Sequence, residues 1–71
     1  ISLADKLDNI RAIREDRDRI GDEVWKRFRR PIQKQKWYYQ ALSGDFSARL
    51  SDGKAAAIVK AYNKEVERVF L

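Results

Sequence analysis

Residues 2–11 read SLADKLDNIR and carry the clearest helical pattern in the chain. Ser2 followed three residues later by Asp5 has the form of a capping box, which satisfies free backbone N–H groups at the start of a helix. Apolar residues then recur at spacings of four, three and three, which places them on one stripe of an α-helix: Leu3, Leu7, Ile10 and Ile13. This pattern predicts a first helix over residues 2–18, with Gly21 as its stop signal.

Three further helices are expected along the rest of the chain. Residues 22–29 predict a short helix, because two acidic residues lie in its first turn and apolar residues occupy one side. Residues 34–50 predict a third helix that Gly44 interrupts, and residues 53–70 a last helix. Its expected buried stripe comprises Ile58, Tyr62, Val66, Val69 and Phe70. Since no segment alternates as a strand does, we predict an all-α fold of about four helices, with residues 1–71 as a single small domain or fragment.

The composition excludes several classes of function. The chain has 71 residues, of which 44% are hydrophobic and 38% charged, enough for one domain with a modest core. Cysteine and histidine do not occur, which excludes disulfides, zinc sites built on these residues, thiol catalysis and triads that need an imidazole base. No apolar run approaches the roughly 20 residues that span a bilayer. The start of the chain has no signal-peptide core, so we expect a cytoplasmic protein without membrane contact.

Asp5, Asp8 and Asn9 are candidate ligands for a cation. Their spacings of three and four residues place them on one side of the first helix. Oxygen donors grouped in this way suit a hard cation such as Mg²⁺ or Mn²⁺. Carboxylates near a helix N-terminus also serve simply as a cap and as a complement to the helix dipole, so the spacing alone leaves both interpretations open.

The same segment resembles a known family. Residues 2–11 are similar to the LADKLHNxR segment of HD-domain metal-dependent phosphohydrolases, in particular the single-domain branch similar to hydrolases of the alarmones guanosine tetra- and pentaphosphate. Residues 21–28 and 37–42 resemble two further blocks that follow in the same order in small bacterial members. The resemblance covers residues 1–50 and extends only loosely to the last helix. It implies that the fold is the C-terminal helical portion of an HD domain.

The resemblance also implies roles for individual residues. The Asp of the family motif is the last metal ligand, which makes Asp5 a ligand for Mn²⁺ or Mg²⁺ in the complete enzyme. The Asn four residues later and the following Arg lie beside the nucleotide in alarmone hydrolases, which makes Asn9 and Arg11 the substrate-binding candidates. Asp8 stands where the family usually has His.

The chain lacks the His and the His-Asp pair that complete the family's metal site. One carboxylate cannot fix the coordination sphere that a catalytic metal needs. We therefore expect the isolated chain to be inactive, to bind no metal by itself, and to be the C-terminal segment of a hydrolase that acts on a nucleotide pyrophosphate such as an alarmone. Its expected partners are the nucleotide substrate and the missing N-terminal helices of the HD domain, or a second copy of the chain.

Two alternative functions follow from other features. The net charge of +5 is concentrated in residues 21–40, which carry six basic and two acidic residues. Aromatic residues lie among these charges and could stack on nucleic-acid bases: Trp25, Phe28, Trp37, Tyr38 and Tyr39. Trp25, Phe28 and Tyr38 could instead be core anchors of short helices. A helical module that binds a protein partner through the last helix is the second alternative, and its contacts would be Ile58, Tyr62, Val66 and Phe70.

Overall fold

The computed structural model describes residues 2–70, which are helical throughout apart from short connections. The elements, in chain order, are α1 (Leu3–Ile20), a 3-10 helix (Gly21–Arg27), α2 (Ile32–Arg49) and α3 (Gly53–Phe70). The prediction of an all-α fold is confirmed. The described residues form three α-helices and not four, because the second predicted helix adopts 3-10 geometry.

Helix α1 follows its sequence pattern closely. The Oγ of Ser2 accepts a hydrogen bond from the backbone N–H of Asp5 at 3.4 Å, as the capping pattern predicts. The four residues of the apolar stripe are buried: Leu3, Leu7, Ile10 and Ile13. The helix ends at Ile20, two residues later than predicted, and the backbone N–H of Gly21 donates to the carbonyl of Arg17.

The 3-10 helix corrects the prediction of an α-helix over residues 22–29. It continues directly from α1 and ends at Arg27, since Phe28 is extended and donates its backbone N–H to the carbonyl of Trp25 at 3.3 Å. A predicted helix of about eight residues is below the length at which an isolated α-helix is stable, and 3-10 turns are common in such short connections. Val24 anchors this segment in the interior, with 1% of its surface exposed.

Helix α2 begins earlier than predicted and is continuous. Pro31 is its N-cap, and the carbonyl of Pro31 accepts the N–H of Lys34 at 3.0 Å, so the helix starts at Ile32 and not at residue 34. It ends at Arg49, one residue before the predicted end. The expected interruption at Gly44 is wrong, because the helix passes through this residue. The cost of about 1 kcal/mol for a helical glycine is offset by the packing of the opposite face.

Helix α3 packs against both α1 and α2 and supplies the centre of the core. Its buried apolar residues are Val59, Tyr62, Val66 and Val69, so three of the five predicted core positions are buried. Phe70 is half-buried at the edge of the core. Ile58 is 39% exposed and its predicted burial is wrong, because Val59 takes the position one turn before Tyr62.

Tyr62 is completely buried, and its hydroxyl donates to the carbonyl of Tyr39 at 2.8 Å. Burial raises the pKa of both tyrosines above the usual range, since each hydroxyl would lose its hydration on ionising. The unfolded chain ionises near pH 10, whereas the folded chain keeps these protons to higher pH. The stability that the two buried tyrosine hydroxyls contribute is therefore fully present below about pH 10. This contribution is lost as the pH rises through the pKa values of the folded protein.

This linkage predicts alkaline unfolding that depends on Tyr62. We expect the unfolding free energy measured in urea to fall between about pH 10 and pH 12, with Tyr62 contributing a slope of about 1 kcal/mol per pH unit. In Tyr62→Phe the decline should be shallower, although part of it remains because Tyr39 is still present. Equal slopes for the two proteins between pH 10 and pH 12 would contradict the prediction.

Candidate functional site

Asp5 and Asn9 project from the exposed side of the N-terminal half of α1. The opposite side of this part of the helix is anchored in the core by Leu3, Leu7 and Ile10. A spacing of four residues puts the Cβ atoms of Asp5 and Asn9 about 5–6 Å apart on one face. Neither side chain forms a hydrogen bond or an ion pair with any other part of residues 2–70. The structure therefore brings these two candidates together and leaves both accessible.

Arg11 lies away from this pair. It follows Asn9 by two residues, which corresponds to a rotation of about 200° around the helix. Its Nε lies 4.0 Å from Oε1 of Glu65 on α3. The side chain of Arg11 therefore lies near α3, and it would have to leave Glu65 to contact a ligand held beside Asn9.

The described residues do not form a complete metal site. Asp5 and Asp8 are both exposed on α1. Within residues 2–70 there is no group of three or more acidic side chains close enough to hold a metal ion, and the chain has no His or Cys to add. Asp5 can thus contribute one carboxylate to a coordination sphere, and its remaining ligands would have to come from elsewhere.

An ion pair that the sequence pattern missed joins α1 to α3. Glu65 is 8% exposed, and its Oε2 accepts a hydrogen bond from Nε of Arg14 at 2.5 Å. Nη1 of Arg14 also donates to Asp18 at 3.2 Å. The hydrogen bond to Glu65 is the main cause that raises the pKa of Arg14. The charged pair therefore adds a polar contact to the apolar packing of α1 against α3.

The five aromatic residues between positions 21 and 40 separate into core residues and one surface residue. Tyr39 is buried, and Trp25, Phe28 and Tyr38 pack partly buried against the core. Trp25 stacks on Phe70, with ring centroids 5.4 Å apart, and the ammonium of Lys6 lies 5.2 Å from the ring centroid of Tyr38. Four of the five aromatic candidates for base stacking are therefore core residues or line its edge.

Trp37 is the exception, with 70% of its surface exposed. It lines an open cleft of about 440 Å³ together with Arg30, Gln33 and Lys34 at the N-terminal end of α2. The cleft therefore combines an aromatic ring, a side-chain amide and two cations. The sequence assigned Trp25, Phe28 and Tyr38 to the core, but it did not distinguish the exposed Trp37 from the buried Tyr39.

No known family matches. A comparison of the chain with protein-family models, with curated proteins and with solved structures finds no similar protein or fold.

None of the helices between residues 2 and 70 combines the length and the apolar character that crossing a bilayer requires.

Proposed function

We propose that this chain is the C-terminal segment of an HD-family metal-dependent phosphohydrolase that acts on a nucleotide pyrophosphate such as an alarmone. In the complete enzyme Asp5 is one ligand of Mn²⁺ or Mg²⁺, and Asn9 contacts the nucleotide. Such a metal supplies Lewis-acid polarisation of the phosphate. The isolated chain is inactive, because it provides only one of the ligands that the metal needs.

The placement of Asp5 and Asn9 is the observation that supports this proposal. Both are exposed, four residues apart on a helix whose other side is anchored in the core. A ligand pair on a rigid helix keeps its geometry better than one on a loop. Arg11 takes a secondary role, because reaching the nucleotide would break its contact with Glu65.

The gene from which the chain derives provides the first test. We expect the in-frame sequence upstream of residue 1 to encode a His and a His-Asp pair on predicted helices. A start codon directly before residue 1 would refute the proposal, because no other part of the same polypeptide could then complete the metal site.

The second test measures hydrolysis by the full gene product with Mn²⁺ and an alarmone. We expect Asp5→Ala to lower the rate of pyrophosphate release by roughly 100-fold or more, since even the loss of a group that only supports a metal ligand costs 10–100-fold. The 71-residue chain alone should release no pyrophosphate above buffer.

Glu15→Gln is the matched control for Asp5→Ala. Glu15 is an exposed carboxylate on the same helix and forms no ion pair within residues 2–70. Its replacement removes one charge without touching the proposed site, so the rate should stay within about twofold of the wild type. Comparable losses in the two variants would mean that Asp5 is not a metal ligand. Titration of Mn²⁺ into the full product provides a readout besides activity, because only Asp5→Ala should weaken binding.

A further inference from the structure

The cleft at the start of α2 presents an exposed indole ring beside cations. The buried stripe of α2 comprises Tyr39, Leu42 and Phe46. Trp37 precedes Tyr39 by two residues and therefore points to the opposite side of the helix. Tryptophan is highly buried on average, so a ring with 70% of its surface exposed is an informative exception.

The charges around this ring are of one sign. Residues 24–44 contain six basic residues and no acidic residue. Lys26 and Arg27 are neutralised by Glu23 and Asp16. Within residues 2–70 the other four cations of this segment form no ion pair: Arg29, Arg30, Lys34 and Lys36. Two of them line the cleft, so a ligand that enters it meets uncompensated positive charge.

We propose that this cleft binds single-stranded nucleic acid, with one base stacked on Trp37 and the neighbouring phosphates held by Arg30 and Lys34. Proteins that bind single strands combine an aromatic platform with a basic groove in this way. The cleft volume of about 440 Å³ falls within the usual range of small-molecule sites and suits one nucleotide unit. This role is independent of Asp5 and of the proposed hydrolase activity.

Other polyanions match the cleft less well. An acidic peptide would satisfy Arg30 and Lys34 but would leave the face of Trp37 without a stacking partner. A duplex would satisfy the charges but keeps its bases stacked inside the helix. A lipid surface favours several apolar side chains around the tryptophan, whereas Gln33 lies beside it here.

Fluorescence anisotropy of a labelled single-stranded oligothymidylate of about 12 nucleotides tests the proposal on the 71-residue chain. We expect binding at about 50 mM salt that weakens as salt rises to about 200 mM. Trp37→Ala should lower the affinity roughly 5–150-fold, the range expected for the loss of one base stack, and leave the salt dependence unchanged. The double variant Arg30→Gln/Lys34→Gln should reduce the slope of log affinity against log salt by about 1.4, because each phosphate contact on a single strand contributes about 0.7.

Lys60→Gln/Lys64→Gln is the matched control, since it removes the same charge from exposed positions of α3 that form no ion pair within residues 2–70. Its affinity should stay within about twofold of the wild type. Circular dichroism of every variant confirms that the helices are retained. The proposal is overturned by any of three results: no binding at about 50 mM salt, equal losses in the two double variants, or equal competition by an abasic strand or an oligoglutamate of the same length.

Discussion

Replacing Tyr62 by alanine is expected to lower the unfolding free energy by about 4 kcal/mol. The side chain is completely buried and meets Phe46 edge to face, with ring centroids 5.4 Å apart. Its hydroxyl also donates to the carbonyl of Tyr39, which would lose this partner. A chain of this length has a total stability of about 4–10 kcal/mol, so the variant should be largely unfolded or close to it at 25 °C.

Urea unfolding followed by circular dichroism measures this effect, with two comparison variants. Tyr62→Phe keeps the ring and loses only the hydrogen bond, so we expect a cost of about 1 kcal/mol. Ile58→Ala removes an apolar side chain from the same helix at a position that is 39% exposed, and it should cost less than about 1.5 kcal/mol. If Tyr62→Ala and Ile58→Ala lowered stability equally, Tyr62 would not be at the centre of the core.

The sequence predicted those parts of the fold that depend on residues close together in the chain. The stripe from Leu3 to Ile13 and the stop at Gly21 are local patterns, and both occur in the structure as expected. The 3-10 helix and the burial of Val59 in place of Ile58 depend on how elements pack together. Local periodicity cannot distinguish the adjacent residues Ile58 and Val59, because either of them can belong to the apolar stripe of α3.

In the candidate sites, too, the sequence predicted local features but not those that depend on packing between helices. The common face of Asp5 and Asn9 follows from a four-residue spacing on one helix. The contact of Arg14 with Glu65 joins residues 51 positions apart, and it required the packing of α3 on α1. Likewise, only the rotation of α2 about its axis decides that Trp37, and not Tyr39, faces solvent.

Gly21→Ala is expected to destabilise the protein by about 2 kcal/mol. Gly21 has φ +68° and ψ −150°, a backbone conformation that residues with a Cβ rarely adopt. An added Cβ would meet no atom within 4 Å, so the cost arises from the backbone and not from a clash. The residue joins α1 to the 3-10 helix, and a shift here would also move Val24 and Trp25 relative to the core. Thermal and urea unfolding measure the change.

Gly44→Ala is the matched substitution, and we expect it to raise the free energy of unfolding where Gly21→Ala lowers it. Gly44 lies inside α2 on the exposed side, and an added Cβ there also meets no atom within 4 Å. Alanine restricts the unfolded chain and favours the helix, so we expect a gain of about 0.5–1 kcal/mol. At both glycines an added Cβ has free space around it, but the backbone conformations differ. If Gly21→Ala destabilises the protein and Gly44→Ala stabilises it, the backbone conformation is the cause of the loss at Gly21. A loss of stability in Gly44→Ala would instead mean that α2 is interrupted at this residue in solution, as the sequence pattern predicted.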